Sequence, residues 1–269
     1  MSRAPLRWAG SKRKSIPVLA RLVPQRYNGY VEPFAGSACL AFHLRPERLV
    51  LGDLNPQLVE FYQYLRDNPA ALHHAYRALP ANPTTYYEVR TEYNNAAPSV
   101  DRAAKFLYLN RYCFNGIYRV NSRGSFNVPW GGDKVGLPLT LRDLMDASDV
   151  LQSAVIECSD FESFTKRNVR PGDFVYIDPP YARDETRVFR EYHERSFASA
   201  DWSRMLSVLA EIDSIGAYFL MSYAGDQALI KELDSWNVGY LDVTRNVGGF
   251  KSSRRKHREF MATNVEPTA

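Results

Sequence analysis

Four consecutive residues, Asp178-Pro179-Pro180-Tyr181, combine a carboxylate, two prolines and a phenol ring. They follow residues 173–177, an apolar, β-branched and aromatic run that is typical of a buried strand. Two prolines cannot continue a strand, because neither donates a ladder hydrogen bond and each fixes φ at about −65°. The motif is therefore predicted to hold its acid and its ring at the carboxyl end of a strand, where open α/β sheets bind ligands.

This motif suits chemistry on the exocyclic amino group of a nucleobase, whose nitrogen is a poor nucleophile because its lone pair is delocalised. Asp178 and the carbonyl of Pro179 can accept the two amino hydrogens, and Tyr181 can stack on the base. A methyl sulfonium in line with the lone pair is the matching electrophile, so catalysis would rest on positioning and electrostatics. A duplex base would first have to flip out. A simple strand-ending turn is the structural alternative.

A nucleoside site is predicted beside the motif from the first part of the chain. A short predicted strand, residues 30–34, runs into the small residues 35–38, which let the backbone and a helix N-terminus approach a ligand. A second predicted strand, residues 49–53, ends in Asp53. That acid follows the turn by about 20 residues, the spacing at which an acid binds a ribose hydroxyl. Capping of the next helix is the alternative role for Asp53.

The alternation of strands and helices is interrupted in the middle of the chain. Residues 70–112 have the pattern of three helices broken at prolines, with no strand signal. We predict an α/β fold with a mostly parallel sheet formed by residues 1–66 and 139–269. The mainly helical insertion would comprise residues 67–138.

The net charge of +4 is modest, but the cations are unevenly distributed. One group lies near the end of the insertion, where aromatic residues interleave with it, and the other lies in a predicted loop between two closing strands. The first group comprises Arg111, Arg119, Arg123 and Lys134, and the second is the stretch 251–258. Cations among aromatic rings suit a surface that meets bases and phosphates, and Asn and Arg suit purine edges. A solvated face is the alternative.

Composition excludes several classes of protein. No apolar run approaches the roughly 20 residues that span a bilayer, and the N-terminus lacks the apolar core of a signal peptide, so we predict a cytoplasmic protein. The three cysteines, Cys39, Cys113 and Cys158, are scattered and odd in number. Neither disulfides nor a metal site is predicted, and all three thiols are expected to be buried.

Together these motifs resemble the Dam-like DNA adenine N6-methyltransferases, from about residue 6 to residue 264. The similar segments are residues 6–12, LRWAGSK; residues 32–38, EPFAGSA; residues 111–130; residues 159–161, SDF; and Asp178-Pro179-Pro180-Tyr181. The resemblance implies a Rossmann-like methyltransferase sheet with an inserted target-recognition domain. It also implies S-adenosylmethionine as cofactor and double-stranded DNA as substrate.

The resemblance assigns roles to residues of this chain. The implied catalytic residues are Asp178, Pro179, Pro180 and Tyr181. The implied cofactor-binding residues are Trp8, Lys12, Glu32, Phe34, Gly36, Asp53, Phe161 and Asp178. The implied DNA-binding residues are Arg7, Phe114, Asn115, Arg119, Asn121, Arg123, Pro129, Arg254 and Arg255. Among these, Phe114 and Asn115 would occupy or flank the gap left by the flipped base, and Arg119 would read a guanine.

Two residues depart from the family pattern. Ala38 stands where Gly is usual, and the cofactor loop is expected to tolerate its methyl group. Ser222-Tyr223 stands where Ser-Asn is common, so part of the cofactor or base pocket is expected to be rearranged. The leading hypothesis is methyl transfer from S-adenosylmethionine to adenine N6 in a short duplex site, with GATC as the leading target. The alternatives are a DNA-binding protein of this fold without turnover, and another acceptor such as cytosine N4. The sequence leaves open whether a restriction endonuclease of the same restriction-modification system is a partner.

Overall fold

The computed structural model describes residues 4–132, 135–180, 199–223, 227–246 and 254–266. Tyr181 lies outside these ranges, and the side chains of residues 242–246 and 254–258 are likewise outside the description. The strands are β1 (Tyr30–Glu32), β2 (Leu49–Asp53), β3 (Val155–Cys158), β4 (Phe174–Ile177), β5 (Tyr218–Tyr223), β6 (Asn237–Asn246) and β7 (Arg254–Thr263). The helices are α1 (Ile16–Leu19), α2 (Cys39–Leu44), α3 (Pro56–Asp67), α4 (Pro69–Arg77), α5 (Pro83–Asn95), α6 (Val100–Tyr112), α7 (Leu141–Leu151), α8 (Phe161–Asn168), α9 (Ser199–Ser214) and α10 (Gln227–Ile230), with 3-10 turns at Lys12–Lys14, Phe114–Gly116 and Lys231–Leu233.

Within the described residues one sheet contains seven strands in the order β3-β2-β1-β4-β5-β7-β6. The first five strands in this order are parallel, and β7 runs antiparallel to both β5 and β6. The predicted α/β class with a mostly parallel sheet is confirmed. The order reverses between β1 and β4, which makes the carboxyl ends of these two strands the crevice where such sheets bind ligands.

Side chains alternate between two cores, one on each face of the sheet. Along β4, Phe174 and Tyr176 pack in the front core with α3 and α6, whereas Val175 and Ile177 pack in the rear core with α8 and α9. All four residues are buried. A strand covered on both faces needs a continuous apolar sequence, which explains the uniform character of residues 174–177.

The three helices predicted for residues 70–112 are present as α4, α5 and α6, and their apolar side chains join the front core. Phe106 of α6 lies 5.4 Å from Phe61 of α3, measured between ring centroids. Arg102 of α6 donates from Nε to Glu60 of α3 over 3.0 Å. One hydrophobic core therefore continues from the sheet into the insertion.

The basic stretch near the C-terminus corrects one prediction. Residues 254–258, expected in a loop, belong to β7 and pair with β6 as far as Arg254 opposite Asn246. Ladder hydrogen bonds are made by the backbone, so a long antiparallel hairpin can include residues of low strand propensity.

Three further findings concern properties predicted from composition. Cys39 and Cys113 are buried as expected, but Cys158 is exposed. No helix among the described residues is long and apolar enough to cross a membrane. Over the same residues, no group of three or more His, Cys, Asp or Glu side chains could hold a metal ion.

Candidate active site

Asp178 follows the last residue of β4 and is held from two sides. Lys12, from the 3-10 turn near the N-terminus, donates to Asp178 Oδ1 over 2.7 Å, and Ser222 Oγ of β5 donates to the same oxygen over 3.1 Å. Tyr176 OH lies 3.0 Å from Ser222 Oγ and must donate to it, because the serine proton is directed at Asp178. Among the described residues Oδ2 has no hydrogen-bond partner, so one carboxylate oxygen anchors the side chain and the other is available.

Burial is the main influence on the pKa of Asp178. Its side chain is 19% exposed. Loss of hydration raises the pKa of Asp178, and the nearby carboxylate of Glu259 raises it further. Lys12 and Ser222 act in the opposite direction. Since only the ionised carboxylate is purely a hydrogen-bond acceptor, the lysine favours the form that can receive amino hydrogens.

Glu32 ends β1 beside this site and is 3% exposed. Tyr30 OH donates to Glu32 Oε2 over 2.9 Å. Burial raises the pKa of Glu32 well above its ordinary value, and the charges of Asp178 and Asp53 add to the effect. The site thus gathers acids at the ends of three adjacent strands, β2, β1 and β4.

The turn after β1 requires glycine at Gly36. Its φ is +46°, and a Cβ added there would lie 3.0 Å from Trp8 Cδ1. The Gly36 amide donates to Asp53 Oδ2 over 3.0 Å, and its carbonyl accepts from Tyr62 OH over 2.8 Å. The predicted cofactor residues Trp8, Gly36 and Asp53 therefore meet in one cradle with a bare backbone edge.

Asp53 does not cap the next helix. Asn55 is the N-cap of α3, accepting from the amides of Gln57 and Leu58, while Asp53 Oδ1 accepts from the Asn55 amide over 2.9 Å. Burial raises the pKa of Asp53, and the amides of Gly36 and Asn55 lower it. The Asp53 carboxylate therefore stabilises the backbone at Gly36 and Asn55. Its unused lone pairs can still accept a hydrogen bond from a hydroxyl group.

An aromatic pair lines the neighbouring strand ends. The rings of Phe34 and Phe161 stack with centroids 5.3 Å apart, and the Arg204 guanidinium lies 4.6 Å from the Phe161 centroid. Asp160 caps α8 by accepting from the Glu162 amide and also pairs with Arg204 over 2.5 Å. The helix cap and the contact with Arg204 help to fix the position of the Phe161 ring.

The N-terminal segment joins this cradle to the insertion. The Arg7 amide donates to Asn110 Oδ1 over 2.9 Å, and Asn110 Nδ2 donates back to the Arg7 carbonyl over 2.5 Å. Gly116, with φ of +65°, has no space for a Cβ, which would lie 2.5 Å from Arg7 Cβ. Trp8 stacks on Tyr118 with ring centroids 5.6 Å apart. Trp8 therefore contacts both the cofactor cradle and the predicted recognition segment.

The recognition segment is a small hairpin held by planar polar groups. Arg119 Nε donates to Asn127 Oδ1 over 2.8 Å, and Asn121 Oδ1 accepts from the amides of Arg123 and Ser125. Arg123 is exposed at the tip. Asn121 thus shapes the turn, whereas Asn127 orients the guanidinium of Arg119.

The residues predicted to flank the gap of the flipped base, Phe114 and Asn115, lie at the start of this segment. Asn115 is exposed in the left-handed conformation, with φ of +55°, and the Phe114 amide donates to the Pro129 carbonyl over 2.9 Å. The backbone of Arg254 and Arg255 lies in β7, but their side chains, like Tyr181 as a whole, lie outside the description.

The chain matches one family over most of its length. The sequence profile of the D12 class N6 adenine-specific DNA methyltransferases matches residues 8–246. This protein is a member of that family. Its activity is accordingly the transfer of a methyl group to the N6 position of adenine in DNA.

Relatives of this D12-class methyltransferase share about a third of its residues. The Type II methyltransferase M1.LlaDCHI of Lactococcus lactis subsp. cremoris is 33% identical, covering 96% of this chain and 94% of the relative. The DNA adenine methylase of Haemophilus influenzae is 33% identical, covering 96% and 92%. The Type II methyltransferase M.MjaIII of Methanocaldococcus jannaschii is 30% identical, covering 93% and 94%.

The two departures from the family pattern have different outcomes in this methyltransferase. Ala38 adopts the left-handed conformation with φ of +47° and is buried, so the turn accepts a methyl group there. Tyr223 packs in the rear core, stacked on Trp202 with ring centroids 5.3 Å apart, whereas Ser222 faces Asp178. Tyr223 and Ser222 thus face opposite sides of the sheet, because successive strand residues alternate, and a rearranged cofactor or base pocket stays a prediction.

Sequence reasoning missed several residues of the methyltransferase site. Ser222 and Glu259 both contact the pair formed by Lys12 and Asp178, and Asn110 holds Arg7. One local signal was available for Glu259, which is an acid next to the apolar run Phe260-Met261-Ala262. Ser222 carries a similar signal, since it ends the apolar run Phe219-Leu220-Met221. The neighbouring sequence of Asn110 carries none, and its role emerges only from helix packing.

Proposed function

We propose that this methyltransferase uses S-adenosylmethionine and acts on an adenine flipped out of duplex DNA at the crevice between β1 and β4. The observation that carries the proposal is the state of Asp178. Its Oδ1 is anchored by Lys12 and Ser222, while Oδ2 has no hydrogen-bond partner among the described residues. An anchored acid with one available oxygen is what an amino-group acceptor needs.

S-adenosylmethionine would supply an electrophilic methyl group. Trp8, Gly36 and Asp53 would hold it at the turn after β1, and Phe34 with Phe161 would bind its purine. The bare backbone edge at Gly36 supports this assignment, because even a single added Cβ there would contact Trp8. Lys12 and Glu32 would complete the polar wall.

Asp178 Oδ2 and the Pro179 carbonyl would accept the two amino hydrogens of adenine. Pro180 would keep this short segment stiff, and Tyr181 would stack on the base. Drawing both hydrogens to fixed acceptors concentrates the lone pair on nitrogen and aligns it with the methyl group. The chain's contribution is thus orientation and electrostatics.

The recognition role belongs to residues 67–138 in this proposal, with residues 1–66 and 139–269 as the catalytic part. Phe114 and Asn115 would flank the gap, and Arg119, oriented by Asn127, would read a guanine in the major groove. Arg7, Asn121, Arg123 and Pro129, with Arg254 and Arg255, would complete the contacts with DNA. GATC remains the leading target, and a cytoplasmic location and a companion restriction endonuclease remain predictions.

The substitution Asp178→Asn tests the proposal, because it keeps the shape of the side chain and removes the acceptor charge. We expect methyl transfer to a duplex containing GATC to fall by about 10²–10³-fold. The assay follows labelled methyl transfer from S-adenosylmethionine, with mass analysis of the nucleosides. Asp146→Asn, on the surface of α7, is the matched control and should retain full activity. Full activity in Asp178→Asn, or N4-methylcytosine as product, would overturn the proposal.

A further inference from the structure

Glu259 is a buried acid on the same face of the sheet as Asp178. Its neighbour Phe260 packs in the rear core, whereas Met261 packs in the front core, so the alternation of β7 directs Glu259 to the front. The side chain of Glu259 is 1% exposed. An acid in such a position is costly to bury unless a cation or hydrogen bonds compensate it.

Lys12 provides that cation, and its ammonium group lies within ion-pair distance of two acids. Its Nζ lies 2.7 Å from Asp178 Oδ1 and 3.2 Å from Glu259 Oε2, and the lysine side chain is 2% exposed. The three groups come from the N-terminal turn, the end of β4 and the antiparallel strand β7. With both acids ionised, the cluster carries one net negative charge.

We propose that Glu259 is a positioning residue for methyl transfer, holding Lys12 Nζ and sharing its positive charge so that Asp178 keeps its strength as an acceptor. This inference rests on the proposed function of Asp178. A lysine paired with Asp178 alone would neutralise the acceptor more completely and compete with the substrate amino group for it. Glu259 limits that pairing without itself contacting the reacting atoms.

Five titratable groups are coupled electrostatically to Asp178, and they come from five elements. Lys12 of the N-terminal 3-10 turn and Glu259 of β7 change the pKa of Asp178 itself, whereas Glu32 of β1, Cys39 of α2 and Tyr176 of β4 are groups whose own pKa the charge of Asp178 raises. Lys12 lowers the pKa of Asp178 and Glu259 raises it. Removing the charge of Glu259 must therefore lower the pKa of Asp178, so that its carboxylate ionises at lower pH.

Glu259→Gln tests this inference, because it preserves size and removes charge. The first measurement is the titration of the Asp178 carboxyl carbon by NMR in the free protein, which needs no turnover. We expect its midpoint to move to lower pH. The second is single-turnover methyl transfer as a function of pH, whose acidic limb should move the same way while the plateau rate falls about tenfold, equivalent to about 1.4 kcal/mol.

Glu259→Asp provides a graded second variant if the glutamine variant does not fold. The aspartate side chain is shorter by one methylene, which withdraws the carboxylate but keeps its charge. The titration midpoint of Asp178 and the plateau rate of methyl transfer should therefore lie between those of the wild type and Glu259→Gln. Asp146→Asn removes a surface charge on α7 and should leave the Asp178 midpoint unchanged.

The outcomes separate this inference from the proposed function. An unchanged Asp178 midpoint in a folded Glu259 variant overturns the inference even if methyl transfer proceeds. A shifted midpoint with an unchanged plateau rate also overturns it, because Glu259 would then have no part in the reaction. Loss of methyl transfer in the wild-type protein would instead refute the proposed role of Asp178.

Discussion

At the scale of single residues, the turn after β1 depends on the absence of a side chain at Gly36. Its amide and carbonyl are both used, by Asp53 and Tyr62, and Trp8 occupies the space a side chain would need. The positive φ adds a cost for any other residue. The cradle therefore rests on one missing Cβ and on the three side chains, Asp53, Tyr62 and Trp8, that contact Gly36.

Gly36→Ala should lower the affinity for S-adenosylmethionine by about tenfold or more, because the new Cβ displaces Trp8. Isothermal titration calorimetry measures the effect. Gly124→Ala is a matched control, since Gly124 also has a positive φ, +76°, but nothing within 4 Å of an added Cβ. Equal affinities in the two variants would show that the cradle does not bind the cofactor.

At the scale of elements, two asparagines fasten separate segments to the helical insertion in the same manner. Asn110 of α6 bonds both backbone groups of Arg7, and Asn94 of α5 bonds both backbone groups of Phe126. The first fastens the segment that leads to Trp8, and the second fastens the recognition hairpin. In each case the asparagine side chain satisfies a backbone amide and a backbone carbonyl that have no hydrogen bond within a strand or helix.

Asn110→Ala and Asn94→Ala should each destabilise the protein by about 1–3 kcal/mol, because each leaves a backbone donor and acceptor unpaired. Their effects on binding should differ. Asn110→Ala should also lower cofactor affinity by about tenfold, since Arg7 precedes Trp8, whereas Asn94→Ala should impair DNA binding alone. Thermal unfolding, calorimetry and a DNA mobility assay measure these quantities. Cofactor affinity that falls equally in both variants would contradict the separate roles.

At the scale of the whole molecule, the insertion and the sheet share the front core. Phe106 packs on Phe61, and the Glu60 carboxylate accepts from both Arg102 and the Ser99 amide at the start of α6. The faces of α4 and α6 that meet α3 and α7 would be exposed in isolation. The helices α4, α5 and α6 and the sheet thus share one continuous interior.

Residues 67–138 expressed alone should therefore fail to unfold cooperatively, because the fragment loses the apolar partners that bury its helices. Circular dichroism during thermal unfolding measures this, with the full chain as the cooperative reference. A fragment with a sharp transition and dispersed amide resonances would show that the insertion is an independent domain.

Much of the fold was readable from sequence because its signals are local. Prolines end β1 and β4, small residues mark the turn after β1, and prolines divide the insertion where α4, α5 and α6 separate. The helix α7 escaped the sequence prediction even though Thr140 and Asp143 form a capping box at its start. It follows a loop, and its core positions become meaningful only against α3 and α4.

The sequence by itself determined the motif Asp178-Pro179-Pro180-Tyr181, the acid at the end of β2 and the resemblance to a methyltransferase family. The tertiary structure decided which groups act on Asp178. Lys12 is 166 residues from Asp178 along the chain, and Ser222 and Glu259 come from other strands. Parallel pairing of β4 and β5, antiparallel pairing of β7 and packing of the N-terminal turn bring these distant residues to the carboxyl end of β4. The electrostatic environment of an acid therefore cannot be read from its neighbours in sequence.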